Sequence, residues 1–311
     1  MNEVEIIQHP QIGGLRLFFD TVDYRTPHDH PEWELLWVLA QPLAVTCGPA
    51  KHQLCPGQMV LFNPGQLHEF HQMAGSCTFL CLQIAPQCFA QSFPELERIS
   101  VDGIDPQPFW QAGEAAWAQR TLLACMRAYL EQPPCYELFC LGQVSLLLHS
   151  LLTRMPTRRI TAEEAAERER RSARMARLLA YVDQNYMHKI RLSDFARAEG
   201  RSMSYLSHFV KETLNQSFQE YVNTVRFNCA CKLIASGQQK MLDVCMASGF
   251  SDYRYFSKTF QQRLGMTPEA YSRRRQAPDE RKVHHSLHSL ERFYSRAQSL
   301  ALLETFEAQY R

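Results

Sequence analysis

The spacing of apolar residues changes period along the chain. From about residue 8 to 90, apolar and polar side chains alternate in short runs, as in Leu15-Arg16-Leu17 and from Glu34 to Leu39. Turn signals interrupt them at Cys47-Gly48-Pro49, Pro56-Gly57 and Asn63-Pro64-Gly65. Alternation places successive side chains on opposite faces of a strand, so this region predicts a sandwich or small barrel. Trp110 to Met155 shows helical spacing instead, through Trp117, Leu122, Met126, Leu130, Leu138, Leu141 and Leu148. Pro133-Pro134 cannot continue a helix, and the stretch is expected to fold as an antiparallel helical hairpin. Residues 157–172 are charge-dense and poor in large apolar groups, which reads as a linker passing into a solvated helix.

From 173 to 275 the period is helical throughout, predicting a compact all-α domain. Within it, Leu192–Asn215 places Phe195 and Ala196 inward, reverses at Gly200, and resumes behind a Ser202 cap with Leu206, Phe209 and Leu214 buried. Met241–Gly265 repeats the arrangement: Val244 and Ala247 inward, a turn at Gly249, Ser251 or Asp252 as cap, then Phe256, Phe260 and Leu264. Two short helices joined across a glycine turn make a helix-turn-helix. The helical run Phe218–Ile234 lies between the two units, and entry of both into one face of DNA requires centres about 34 Å apart. Outward positions on the two second helices nominate Ser204, Ser207, His208, Lys211, Tyr253, Arg254, Ser257 and Lys258 as DNA contacts. Residues 276–311 return to helical spacing through Val283, Leu287, Leu290, Tyr294, Ala297 and Leu300. A partner helix or packing onto the body would satisfy that stripe, and packing is the simpler expectation.

Charge sharpens the division. Residues 1–156 carry 7 Lys/Arg against 15 Asp/Glu (−8), residues 157–311 carry 26 against 17 (+9), and 173–275 alone carry 16 against 8 (+8). A basic helical half suits a polyanion, with Arg273, Arg274 and Arg275 expected at phosphates and an affinity that falls steeply with salt. The opening residues show no secretory pattern and the longest apolar stretch, Leu138–Leu152, is short for a membrane span, so a cytoplasmic protein without membrane contact is expected. Eleven cysteines without a C-x-x-C pair argue for reduced, buried thiols.

In the front half, PHDHPEWELLWVLA (Pro27–Ala40) reads as one strand with His28, His30 and Glu34 on a single face. Two imidazoles and a carboxylate suit a transition metal. Strict alternation puts Trp33 and Trp37 on the face opposite Glu34 unless a bulge intervenes. No nucleophile, paired carboxylates or phosphate-cradling glycine loop appears, so no catalysis is expected.

The run GFSDYRYFSKTFQQRLGMTPEAY, Gly249–Tyr271, resembles the signature of the AraC/XylS family of bacterial transcription regulators, and the likeness extends over Ala173–Arg275. It implies a sequence-specific regulator, usually an activator that contacts RNA polymerase. His28-x-His30-x-x-x-Glu34, with Gly57, Asn63-Pro64-Gly65 and His68, resembles the cupin β-barrel pattern, whose metal-binding members hold an ion with the matching residues. Here Ala40-Gln41-Pro42 replaces an expected glycine and the Gly57–Pro64 spacing is one residue longer. His28, His30, Glu34, Trp37 and His68 are therefore assigned to an organic effector, carbohydrate by analogy, with no metal and no cofactor.

The expected molecule is α+β with two domains: a cupin-like barrel (1–109) with a helical hairpin (110–156), a linker (157–172), an all-α domain with two helix-turn-helix units (173–275) and a helical tail (276–311). It is expected to bind double-stranded DNA, RNA polymerase and a small-molecule effector. A homodimer is expected through the hairpin, with Trp117, Leu122, Leu138 and Leu141 as interface candidates. The alternatives are a regulator controlled by a partner protein and a metal-binding cupin sensor or enzyme fused to a DNA-binding domain.

Overall fold

The computed structural model describes residues 12–48, 50–72, 76–214, 216–235, 240–275 and 290–310. Seven strands, β1 (Leu15–His28), β2 (Trp33–Ala40), β3 (Leu43–Cys47), β4 (Ala50–Leu54), β5 (Met59–Phe62), β6 (His68–Gln72) and β7 (Cys77–Ile84), run antiparallel in the order β4-β3-β6-β1-β7-β2-β5. The sheet curls into a nearly closed barrel. Alternation along each strand gives it two cores. On β2, Leu36 and Val38 join Val45, Val60, Phe62, Phe70 and Phe79 inside the barrel. Trp33, Leu35, Trp37 and Leu39 face the other way.

The outer face is covered by helices. After β8 (Ile99–Val101), α1 (Glu114–Glu131) and α2 (Tyr136–Arg154) form the hairpin, joined through Gln132 and Cys135, both left-handed, around the two prolines. Leu122 and Met126 of α1 and Val144, Leu147 and Leu151 of α2 share one core with Trp33 and Trp37. Each such side chain contributes roughly 1.5–3 kcal/mol when fully buried. By length and composition α2 could cross a membrane, yet one of its faces packs into this core. Its opposite face leaves Leu138, Phe139 and Leu146 exposed. Leu122 is thus a core residue rather than an interface candidate, and Trp117 and Leu141 pack partly against the same core.

Residues 157–172 are not an independent linker. β9 (Thr157–Arg159) pairs with β8, and α3 (Ala162–Asn185) begins at a capping box. The Thr161 hydroxyl accepts from the Glu164 amide, and the Glu164 carboxylate accepts from the Thr161 amide. α3 then runs unbroken into the helical half. The charge density that suggests a linker is the solvated first half of this helix.

The helical half continues with α4 (Leu192–Ala198), α5 (Met203–Leu214), α6 (Phe218–Ala235), α7 (Met241–Ala247), α8 (Tyr253–Leu264) and α9 (Pro268–Arg275). It also has two cores. Leu178, Phe195, Leu206 and Phe209 build one, Val244, Phe250, Phe256 and Phe260 the other. α6 feeds both, through Val222 and Val225 on one side and Phe227 and Ile234 on the other.

The tail is not one helix. Val283 and Leu287 lie outside the described residues. β10 (Leu290–Phe293) pairs with β1 from Asp20↔Phe293 to Tyr24↔Leu290, and α10 (Arg296–Gln309) packs on the barrel and hairpin. Leu303 and Phe306 complete the outer core, and Tyr310 meets Trp37 edge-on at 4.7 Å. Arg127 of α1 donates two hydrogen bonds to Glu307, and Arg25 of β1 donates two to the buried Glu291. The chain therefore returns to its first domain after forming the second.

Candidate effector centre and DNA-binding face

His28, His30, Glu34 and His68 do come together, but not along one strand. β1 ends at His28, the chain turns through His30, and Glu34 is the second residue of β2. β7 separates β1 from β2, so the cluster is assembled across strands. His28 pairs in register with His68 of β6, and Glu34 lies opposite Gln83 of β7. All four are buried. Ring centres are 4.2 Å apart for His28 and His68 and 5.5 Å for His30 and His68. Phe62 stacks on His68 at 4.1 Å, and Phe70 packs beside it.

The polar contacts are specific. Nδ1 of His28 lies 2.9 Å from the Thr26 carbonyl, and Nδ1 of His68 lies 2.8 Å from the Gln66 carbonyl. Glu34 Oε2 accepts from Gln83 Nε2 at 2.9 Å and is 3.0 Å from His30 Nε2. Burial, reinforced by His68 and Arg25, holds His28 well below the ordinary histidine range. Burial works to raise the Glu34 carboxyl, but the hydrogen bond from His30 and the nearness of His68 hold it well below the carboxylate range.

Trp37 does not belong to this cluster. Its odd-numbered place on β2 turns it into the outer core, against Tyr310. The aromatic rings beside the histidines are instead Phe62 and Phe70. Apolar side chains from every barrel strand fill the space beside the histidines.

A cavity of about 760 Å³ lies between the barrel and the helical half, lined by neighbours of the cluster but by none of its four side chains. Asp29, Gly65, Gln66 and Leu67 form its barrel wall, and Arg168, Arg171, Met175 and Thr213 belong to the helical wall. Asp29 accepts from the Ser172 hydroxyl of α3, and Arg168 donates to the Pro64 carbonyl at 3.0 Å. Leu67 packs against the first helical core. Sequence spacing gives no hint of this junction, because its walls come from segments about 100 residues apart.

On the helical half, α5 presents Ser204, Ser207, His208 and Lys211 as one exposed face opposite Leu206, Phe209 and Val210. On α8, Arg254 and Lys258 are exposed and Ser257 is half-buried. Tyr253 is placed differently. Its ring packs on Phe256 at 5.5 Å and its hydroxyl donates to Glu269 of α9, so it braces α9 rather than presenting its edge to a base. Gln261, three residues beyond Lys258, extends the exposed face, and helical spacing alone would have found it. The exposed Tyr255 was also missed, and its hydroxyl accepts from Asn223 of α6 at 2.8 Å. Gly200 and Gly249 both adopt positive φ, at +61° and +84°, where each unit reverses. The side chains of Arg274 and Arg275 lie outside the described residues.

Comparison with known proteins follows this division. An AraC-like ligand binding domain profile matches residues 12–179, and a helix-turn-helix domain profile matches residues 195–274. The HTH-type transcriptional regulator YdeC of Bacillus subtilis (strain 168), itself uncharacterized, is 25% identical over 257 residues, which is 79% of this chain and 85% of that protein. The HTH-type transcriptional activator RhaS of Pectobacterium carotovorum is 24% identical over 257 residues, covering 80% and 90%. The crystal structure of ToxT from Vibrio cholerae O395 aligns with a TM-score of 0.40 at 11% identity, over 86% of this chain and all of that one. The ligand-binding profile alone spans more than half of the chain and takes in the barrel, the hairpin and most of α3, so this protein belongs to the AraC-like family of DNA-binding transcription regulators.

Proposed function

We propose that the barrel senses a small-molecule effector and passes its state to the DNA-binding half through the junction at α3. The observation that carries this reading is the seam itself. Asp29 bonds Ser172, Pro64 bonds Arg168 and Leu67 enters the first helical core, so the two turns at the barrel mouth touch the helix that founds the DNA-binding half. A ligand that moves those turns shifts the balance between helical arrangements that fit adjacent major-groove segments and those that do not.

In this reading α5 and α8 enter successive turns of the major groove. Arg254 and Lys258 supply most of the base contacts, because the serines of α5 are short. The protein works as a cytoplasmic homodimer through the exposed Leu138, Phe139 and Leu146 stripe of α2, and activates by contacting RNA polymerase without catalysing a reaction. Footprinting on genomic fragments tests the reading: discrete protected sites that vanish with Arg254→Ala support it. Equal, diffuse protection by both proteins would refute it. Sedimentation of Leu138→Lys tests the dimer, which should dissociate.

A further inference from the structure

We infer that the cavity between the barrel and the helical half binds an amino acid as its zwitterion, carboxylate on Arg168 and ammonium on Asp29, and that this ligand is the effector of the regulator. The inference deepens the proposed function and rests on it for the regulatory half only. The binding half stands on the cavity.

Two unanswered charges support the site. Asp29 is 6% exposed, and among the described residues its carboxylate accepts from the Ser172 hydroxyl but faces no cation within ion-pair distance. Arg168 is half-buried and donates to two neutral oxygens, the Pro64 carbonyl and the Ser100 hydroxyl, with no carboxylate in ion-pair reach among the same residues. Two of its five N–H groups are thus used and three stay open. Burial, reinforced by the nearby Arg158, pulls its guanidinium below the ordinary range, as expected of a cation short of countercharge. The other charges on the cavity wall answer one another or a neighbour: Arg158 with Glu164 at 2.7 Å, Glu167 with Arg170 at 2.8 Å and Arg171 with Glu212 at 3.8 Å. A buried charge is costly until an opposite one reaches it.

The spacing of the two charges suits one small molecule. The guanidinium rests on the Pro64 carbonyl, and the amide of the next residue, Gly65, donates to the carbonyl of His30, the neighbour of Asp29. Arg168 and Ser172, which holds Asp29, are four residues apart on α3 and share one face, about 5–6 Å between Cβ atoms. Both routes set guanidinium and carboxylate at the two ends of a gap on the order of 10 Å. An α-amino acid carries its two charges about 3 Å apart, and a charge-assisted hydrogen bond of about 2.8 Å at each end bridges that gap. A ligand of single charge would answer one end and leave the other buried.

The wall selects beyond the charges. Its volume of about 760 Å³ lies in the range of small-molecule sites. Leu67 and Met175 line it with apolar surface, Met175 as a member of the first helical core and Leu67 packed against that core. An apolar side chain on the ligand therefore rests on residues shared with the DNA-binding half. Held by Asp29 from the barrel turn and by Arg168 from α3, the ligand draws those two elements together and biases the arrangement of the helices beyond them.

The test uses the full chain and the protein amino acids, each added alone and read first as a rise in the melting midpoint. At least one with an apolar side chain should raise it by about 2 °C or more. Its deaminated acid and its decarboxylated amine, each keeping one charge, should bind on the order of 10-fold or more weaker by titration calorimetry. The variants should cross over. Asp29→Asn, which keeps an acceptor for Ser172, should lose the preference for the amino acid over the acid, and Arg168→Gln the preference over the amine. If the glutamine variant does not fold, the Asp29→Asn crossover decides alone, and Arg170→Gln, on the same helix outside the cavity, is the control. No midpoint shift with any amino acid, or variants that keep the parent's preferences, overturns the site. In parallel, the bound amino acid should change the affinity for an operator fragment by about 5-fold or more in the parent protein and not in Asp29→Asn. Binding with unchanged DNA affinity overturns the effector role. Failure of the protein to select any DNA site, with or without the amino acid, would instead strike the proposed function and leave the binding result standing.

Discussion

Replacing Phe306 by alanine tests whether the last helix truly belongs to the first domain. Phe306 is 5% exposed, sits in the outer core and has its ring centre 6.2 Å from that of Phe19 on β1. Truncating a buried phenylalanine typically costs about 3–5 kcal/mol through lost transfer energy and the cavity left behind. α10 is held by one face and can settle toward the hole, so the lower end, about 3 kcal/mol, is expected. In a domain of this size each kcal/mol lowers the midpoint by roughly 2–4 °C, which gives a fall of roughly 6–12 °C. Scanning calorimetry of the full chain is the assay, and the shift should fall on the transition of the barrel and hairpin. The helical half should melt where it did before. Glu304→Ala, on the exposed side of the same helix, should change neither. A Phe306→Ala midpoint within about 2 °C of the parent would refute the packing argument.

Two glycines should respond in opposite directions. A Cβ on Gly249 would lie 2.6 Å from the Tyr186 carbonyl and 2.9 Å from Met187 Cα at φ +84°, so Gly249→Ala should cost at least ~2 kcal/mol and abolish operator binding. Gly142, helical and open around its Cα, should gain about 0.5–1 kcal/mol as alanine in urea unfolding. Arg254→Ala should weaken operator binding about 10-fold or more while leaving binding to random DNA nearly unchanged, as read by competition gel shift. Trp37→Phe should lower the barrel's midpoint by a few degrees yet preserve any effector response. Loss of the response at unchanged stability would return Trp37 to the binding site.

The helical half was the more legible part of the sequence, because its signals are local. Gly200 and Gly249 must turn, and Phe195, Leu206, Phe256 and Phe260 repeat at helical spacing, so the two units follow from short windows. Helical position alone could not foresee Tyr253, whose direction is decided by Glu269 sixteen residues later. In the barrel, alternation correctly divided Glu34 from Trp33 and Trp37. It missed that β1 stops at His28, because alternation reads straight through residues 29–32, which are in fact a turn between non-adjacent strands. The charged run before residue 172 read as a linker because solvated helix and linker share a composition. Only the capping box at Thr161 marks the difference. The tail's apolar stripe was visible, but Trp37, Phe19 and Arg25 as its partners lie over 250 residues away.

That return of the tail has a consequence for how the protein is made. On the ribosome the barrel strands and the hairpin emerge first, and the DNA-binding half follows through α9. At about 5–20 residues per second, the roughly 130 residues between β9 and β10 take on the order of ten seconds to synthesise. Throughout that interval Trp37 and Phe19 lack the cover that α10 gives them, and the edge of β1 beside Asp20–Tyr24 lacks β10. A nascent chain at this stage exposes apolar surface to chaperones and proteases. Translation that stops after α9 would release a polypeptide with both recognition helices but an unfinished effector domain. That product differs from the chain carrying β10 and α10 by the same uncovered surface, over Trp37, Phe19 and the edge of β1.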